Sequence, residues 1–286
     1  MSRIQARQIR ESDLPAVADL LTRGFPERGR TFWLDVLARL REHSVPDGLA
    51  KYGYLLDNGG SVIGAILLIF SRVSLGEQNT VRCNVSSWFV EPAFRSYASL
   101  LMCKALSQKE VTYLNTTPAA QTVQILLAQG YSKHNGGVFV AVPALTSHAR
   151  AADVKVVRVG SASPLSASAA EHELLLEHAS YGCLSLWCVT ADRAYPFVFR
   201  LRTIKRLLPA AQLIYARHVE DFARMAGSVG RFLVARGRGL VLIDADGPIP
   251  GLFGKYFDRM QPKYFKGPHQ PPLGDLAYTE AALFGI

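Results

Sequence analysis

Hydrophobic positions along this chain switch between a period of two and a period near 3.6, and each switch marks an element. Ile4 to Arg10 reads as a first strand. Ser12 or Asp13 can cap the helix that follows, with Pro15 in its first turn and Leu14, Val17, Ala18, Leu21 and Phe25 on one stripe. A second helix, Thr31 to Glu42, carries Phe32, Val36 and Leu40 inward. Tyr52 to Leu56 then runs into Asp57-Asn58-Gly59-Gly60, a hairpin signal, and on into the strand Val62 to Val73, whose run VIGAILLIF predicts burial on both faces. The strand Val81 to Val90 is antiparallel to it. On it Val81, Cys83, Val85 and Phe89 are expected on one face and Asn84, Ser86, Trp88 and Val90 on the other. Pro92 ends the pairing. A helix follows with Ala98, Leu101, Met102 and Ala105 as its buried stripe. Val111 to Leu114 is a short strand, and Thr117-Pro118 starts a helix with Ala120, Val123 and Leu127 inward. Gly130 stops that helix, and a last strand is expected through Val142.

The stretch from Pro143 to Asp153 is small and polar and reads as a linker. Beyond it the pattern partly repeats. Val154 to Val159 is a strand and Ala167 to His178 a helix; Leu184 to Val189, Tyr195 to Arg202 and Ala211 to Ala216 are strands. Phe222, Met225, Ala226, Val229 and Leu233 mark a helix ending near Gly237, before the strand Leu240 to Asp244. From Gly247 on, prolines exclude long regular elements, yet Phe257, Tyr264, Phe265, Tyr278 and Phe284 are too apolar for a free tail. That tail is expected to pack against a domain. The domains predicted are 1–142 and 154–286, joined by 143–153, each with an α+β sandwich in which helices flank a mixed, mostly antiparallel sheet.

Composition narrows this little. A chain of 286 residues, 49% hydrophobic and 19% charged, suits two globular domains. There is no apolar leader segment and no apolar run near the roughly 20 residues of a membrane span, so a cytoplasmic location without membrane partners is expected. The four cysteines, Cys83, Cys103, Cys183 and Cys188, have no ligand spacing, and no metal site is predicted. The formal charge of +9 suits an anionic ligand, but basic residues are scattered without a run of five, which argues against nucleic acid. No Ser-His-Asp set, Walker loop or dinucleotide fingerprint is present; Gly237-Arg238-Gly239 precedes a strand, where a fingerprint follows one.

The chemistry concentrates where the strand Val81–Val90 breaks at Pro92 and feeds a helix. A helix N-terminus offers free amides and a positive dipole end to an anion, and Arg95 stands beside it. The run from Val90 to Leu100, VEPAFRSYASL, resembles the pyrophosphate loop of the GNAT acyltransferases, and the order of the elements around it is similar to a GNAT domain. The second half resembles another such domain, without an Arg- or Gln-led loop. The resemblance implies a tandem GNAT fold and an acyltransferase that moves an acyl group from acyl-coenzyme A (acetyl-coenzyme A) to an amine or hydroxyl on a small molecule, sugar or peptide. A protein that kept the fold as a non-catalytic scaffold or binding module is the competing reading. A tandem enzyme using aminoacyl-tRNA, as in the Fem-like peptidyl transferases, is a third.

What the resemblance implies for single residues follows the loop. Arg95, Ser96, Tyr97, Ala98 and Ser99 would hold the diphosphate. Ala98 and Leu100 stand where the family has Gly, and a Cβ there narrows the fit. A backbone N–H at Phe89 or Val90 would polarise the thioester carbonyl. Asn115, after the fifth strand, would lie near the cofactor, or else form a turn before Thr117. For the general base the family often has Glu near the fourth strand, where Ser86 and Ser87 stand here; Glu91 and His134 are the candidates, each with a solvated surface role as the alternative. The family's Tyr acid, four residues before the Gly of a Gly-aromatic pair, falls on Leu126; Tyr97, Tyr131 or Tyr278 would have to replace it.

Overall fold

A computed structural model of the chain describes residues 4–75, 78–146, 154–204 and 207–285. The elements, in chain order, are β1 (Gln5–Gln8), α1 (Leu14–Gly24), α2 (Arg30–Glu42), β2 (Gly53–Asp57), β3 (Val62–Leu75), β4 (Gln78–Val90), α3 (Ala98–Ala105), β5 (Thr112–Asn115), α4 (Val123–Ala128) and β6 (Ser132–Lys133). There follow β7 (Gly137–Ala141), β8 (Lys155–Arg158), α5 (Ala169–Ser180), β9 (Leu184–Val189), β10 (Ala194–Ile204), β11 (Leu208–Tyr215), α6 (Val219–Val234), β12 (Leu240–Ala245), β13 (Gly254–Asp258), β14 (Tyr264–Lys266) and α7 (Glu280–Leu283). Among the described residues, no helix is long and apolar enough to cross a membrane.

Two compact units result, and they do not follow chain order. One comprises Met1–Ser132, Tyr264–Gln270 and Tyr278–Phe284; the other comprises Lys133–Lys263, Pro271–Ala277 and Gly285–Ile286. Each holds a seven-stranded sheet, ordered β1-β2-β3-β4-β5-β14-β6 in the first and β13-β7-β12-β11-β10-β9-β8 in the second. In both sheets all but one of the registered pairings are antiparallel, the exceptions being β4 with β5 and β11 with β12.

Local chemistry accounts for the first sheet. Asp57 Oδ1 accepts from the amides of Gly59 and Gly60 at 2.8 and 2.9 Å, and both glycines have positive φ, so the expected β2–β3 turn forms on its own hydrogen bonds. Cys83, Val85 and Val90 of β4 pack with Leu101 and Met102 of α3 and Leu126 of α4. The opposite face carries α1 and α2, which bury Leu14, Val17, Leu21, Trp33, Val36 and Leu40. Two expectations shift by one position. Leu126, not Leu127, is the buried residue of α4, and Leu127 is 45% exposed. The helix opens as a 3-10 turn at Ala120–Thr122, and three residues per turn instead of 3.6 rotates the stripe. Likewise Val90 and the half-buried Trp88 join Cys83 and Val85 on the α3 face, while Phe89 leaves it for the ring of Phe25 after α1, 6.4 Å away.

The strand expected to close the first sheet by Val142 does something else. β7 pairs with β12 on one edge and β13 on the other, as an inner strand of the second sheet. The position beside β5 is taken by β14, with Tyr264, Phe265 and Lys266 opposite Asn115, Leu114 and Tyr113. Both β7 and β14 have a strand's alternation, which fixes faces but not partners. Of the expected linker, 147–153 lie outside the described residues. Pro143–Leu145 form a 3-10 turn packed on α6 in the second unit. There a Cβ at Gly230 would come within 2.2 Å of the Ala144 nitrogen and 2.5 Å of the Pro143 carbonyl carbon. Backbone cannot yield as a side chain does. Gly230→Ala is therefore expected to destabilise the second unit by about 1–3 kcal/mol, read as a lower urea midpoint; an unchanged midpoint would contradict that packing.

The second unit also buries charge. Lys263 Nζ lies 2.6 Å from Asp244 Oδ1, with side chains 3% and 5% exposed. Asn135 Oδ1 accepts from the Lys263 amide at 2.8 Å, and its Nδ2 donates to Gly137 O.

Candidate functional site

The sheet of the first unit opens between its two parallel strands. β4 and β5 are in register at Arg82–Thr112, Cys83–Tyr113 and Asn84–Leu114, and the pairing ends there. Among the described residues β4 runs on to Val90 against β3 alone, with Ala65 opposite Phe89 but Leu67 opposite Ser86. Ser87 and Trp88 thus face the single residue Ile66, a β-bulge, and Ser87 takes φ +47°. That extra residue reverses the facing of everything after it, which is why Trp88 and Val90 face α3 and Phe89 does not.

Asn84 sits at the vertex. Its Nδ2 donates to Leu114 O on β5 and to Val85 O, both at 3.2 Å, and its Oδ1 accepts the backbone amide of Glu280 at 2.5 Å. Glu280 is 2% exposed. One carboxylate oxygen accepts from the Ser86 hydroxyl, and the other accepts from Thr116 at 2.9 Å and Thr117 at 2.6 Å. Desolvation raises the Glu280 carboxyl above the ordinary carboxylate value, against the three hydroxyls that favour its ionised form. Thr279, Ala281, Ala282, Leu283 and Phe284 are buried with it, and Arg39 of α2 donates to Leu283 O at 2.6 Å. Glu280 therefore enters the opening from the face that carries α2, opposite α3. Sequence reasoning missed it, because Glu is ordinarily exposed and nothing local ties it to a strand 194 residues away.

The residues expected to hold a diphosphate stand together on the other side. Pro92–Tyr97 form a 3-10 helix that runs directly into α3. Arg95, Ser96, Tyr97 and Ser99 are exposed and Ala98 is half-buried. Tyr97 and Leu100 are each 41% exposed. The amides of Phe94 and Ala98 are engaged by the carbonyls of Glu91 and Arg95, which makes this a tighter turn than an open anion loop. Asn115 is half-buried at the end of β5, its backbone in register with Tyr264.

The two candidate bases are not brought together. Glu91 caps the 3-10 helix and binds Arg23 at 2.7 Å. His134 belongs to the second unit and is 2% exposed, which replaces the surface position considered for it; its backbone amide donates to Lys263 O at 2.8 Å. Among the candidate acids, Tyr131 is buried in the core of the first unit, its hydroxyl pKa pushed up by desolvation, and Tyr278 lies beside the ring of His43, 5.7 Å away. A cavity of about 630 Å³ bordered by Asp47, Arg72, Thr80, Gln108, Glu110 and His269 lies at the far end of β4 from Phe89.

The second unit repeats the geometry and then closes it. β11 and β12 are in parallel register from Ala210–Leu240 to Gln212–Leu242, and β11 carries a bulge where Val198 and Phe199 of β10 face Tyr215 and Leu213. Beyond that point Gly274–Leu276 pairs with β11: Ala216 N donates to Gly274 O at 3.0 Å and Leu276 N to Ile214 O at 2.7 Å. The edge left beyond the last rung in the first sheet is thus filled by backbone in the second.

No protein-family model and no curated protein matches the sequence. Solved structures do. A GCN5-related N-acetyltransferase from Anabaena variabilis matches with TM-score 0.61 at 11% identity, over 92% of this chain and 72% of that one. Another from Kribbella flavida matches with TM-score 0.58 at 18% identity, over 92% and 71%. Eis1 from Mycobacterium abscessus matches with TM-score 0.53 at 13% identity, over 96% and 74%. With the two bulged, splayed sheets, these likenesses show that the chain has the GCN5-related N-acetyltransferase fold in tandem form.

Proposed function

We propose that the first unit is an acyltransferase that takes an acyl group, in the simplest case acetyl, from acyl-coenzyme A to an amine or hydroxyl acceptor. The observation that carries this is the β4 edge beyond Asn84, which runs past its last rung on β5 and ends beside the N-terminus of α3. A pantetheine arm is itself amide-bearing and can pair with such an edge. The thioester carbonyl would be polarised from the backbone of Phe89 or Val90. Arg95, Ser96 and Ser99, exposed at the start of α3, would meet the diphosphate with Tyr97 beside them, and the half-buried Ala98 would contribute backbone. Asn115 would flank the arm from β5. The second unit, its edge closed by Gly274–Leu276, is given no coenzyme. The acceptor, whether small molecule, sugar or peptide, would approach from the face of α1 and α2.

Acetyl-coenzyme A at millimolar concentration is expected to raise the melting temperature of the intact chain, since a ligand bound only by the folded state stabilises it. Arg95→Glu removes one charge-assisted contact and adds repulsion, so affinity should fall about 10- to 100-fold. Calorimetric titration measures it, and absence of binding to the wild-type chain would end the reading. Occupation of the Ala98 amide by Arg95 O favours the second reading, a binding role without turnover; thiol release in the presence of acceptors separates the two.

A further inference from the structure

The opening contains a line of hydroxyls with a carboxylate at its end. Ser87 stands on the bulge, half-buried, three residues beyond the last rung of β4 on β5. Its Oγ lies 3.1 Å from Ser86 Oγ, and the Ser86 hydroxyl donates to Glu280. Since Ser86 spends its proton on the carboxylate, its lone pairs are left to accept from Ser87, and those of Ser87 from whatever lies beyond it. Thr116 and Thr117 hold the other carboxylate oxygen, so the oxygen facing Ser86 is the one placed to take a proton. Glu91, the neighbouring carboxylate, is committed to Arg23.

We propose that Ser87, Ser86 and Glu280 form a proton relay for acyl transfer, with Glu280 as the final acceptor. The proposal rests on the acyltransferase reading above and supplies the base that it lacks. As an acceptor amine attacks the thioester carbonyl, the C–N bond forms and the C–S bond breaks. The amine proton passes to Ser87 as Ser87 gives its own to Ser86 and Ser86 gives its own to Glu280. The departing thiolate takes a proton from solvent, to which Glu280 returns the one it received. The raised affinity of the buried carboxyl for a proton brings it closer to the value that general-base catalysis near neutral pH requires. The titratable groups packed nearest the segment are Arg39, bound to Leu283 O, and His43, beside Tyr278, its own pKa lowered by burial.

The test uses the full-length chain with Glu280→Gln and, as a variant that leaves the C-terminal segment untouched, Ser87→Ala. Acetyl-coenzyme A affinity is measured by calorimetry. Thiol release is followed from pH 5 to 9 with glucosamine, spermidine, a lysine tripeptide and water as acceptors. Expected are a loss in kcat of about 100-fold or more for Glu280→Gln, within the usual range for proton transfer, and a smaller one of about 10-fold for Ser87→Ala, with Kd for acetyl-coenzyme A within threefold of wild type. The pH plateau of the wild type should give way to a rate that climbs with hydroxide. Rates within threefold of wild type, or losses matched by equal losses in affinity, would overturn the relay and leave the acyl-coenzyme A reading standing. A wild type that binds acetyl-coenzyme A and releases no thiol with any of these acceptors overturns the relay too; one that does not bind it overturns both.

Discussion

Replacing Lys263 by methionine is expected to destabilise the second unit by about 3–5 kcal/mol. The reason is the burial of its partner. With Lys263 gone, Asp244 is left at 5% side-chain exposure without the ammonium that meets its Oδ1. The pair itself stabilises little, because withdrawing two ions from water offsets most of their attraction. Lys263→Met with Asp244→Leu should therefore recover most of the loss. Urea unfolding with hydrogen exchange on β7 and β12 reads the outcome. A single variant within 1 kcal/mol of wild type would show that water reaches Asp244.

Ending the chain at Ala277 is expected to damage the first unit, far away in sequence. Leu283 and Phe284 are 0% and 4% exposed, and losing the burial of each forfeits about 1.5–3 kcal/mol, or about 3–6 kcal/mol for the two. The same deletion strips Asn84, Ser86, Thr116 and Thr117 of the groups they bind in Glu280. That loss is a large part of a typical domain's 5–15 kcal/mol. Peptides from β4 and β5 should lose hydrogen-exchange protection while those from β9 and β10 keep it. Unchanged protection in β4 would mean that the segment rests on the unit without completing it. Leu283→Ala, at about 2–5 kcal/mol, gives the same answer with one side chain.

Most of the elements were legible in the sequence because they rest on local signals. The Asp57–Gly60 turn, Pro15 in the first turn of α1 and Gly130 after α4 each act within a few residues. So does the stripe of Leu101, Met102 and Ala105 that seats α3. What could not be read is whatever depends on a partner elsewhere. Alternation places Phe89 with Cys83 and Val85, and only the bulge at Ser87 reverses it; Ser is not a residue that announces positive φ. The GVFVA run of β7 says strand but not which sheet. At the site, the position of Arg95 through Ser99 at the start of α3 was visible in the order strand, proline, arginine, helix. The buried carboxylate was not, since nothing near Glu280 in sequence ties it to β4, 194 residues away.

The exchange of end segments also bears on when the protein can become itself during synthesis. The first sheet needs β14, whose Phe265 pairs with Leu114, and the Glu280 segment, so the chain through residue 280 must leave the ribosome before that sheet is closed. Until then β5 shows a bare edge and Asn84 Oδ1 lacks its donor, the kind of exposed pairing surface that invites wrong partners. Such long-range closure is slow. Nascent chains stalled before residue 264 should therefore call on chaperones that release them once residues 264–284 arrive.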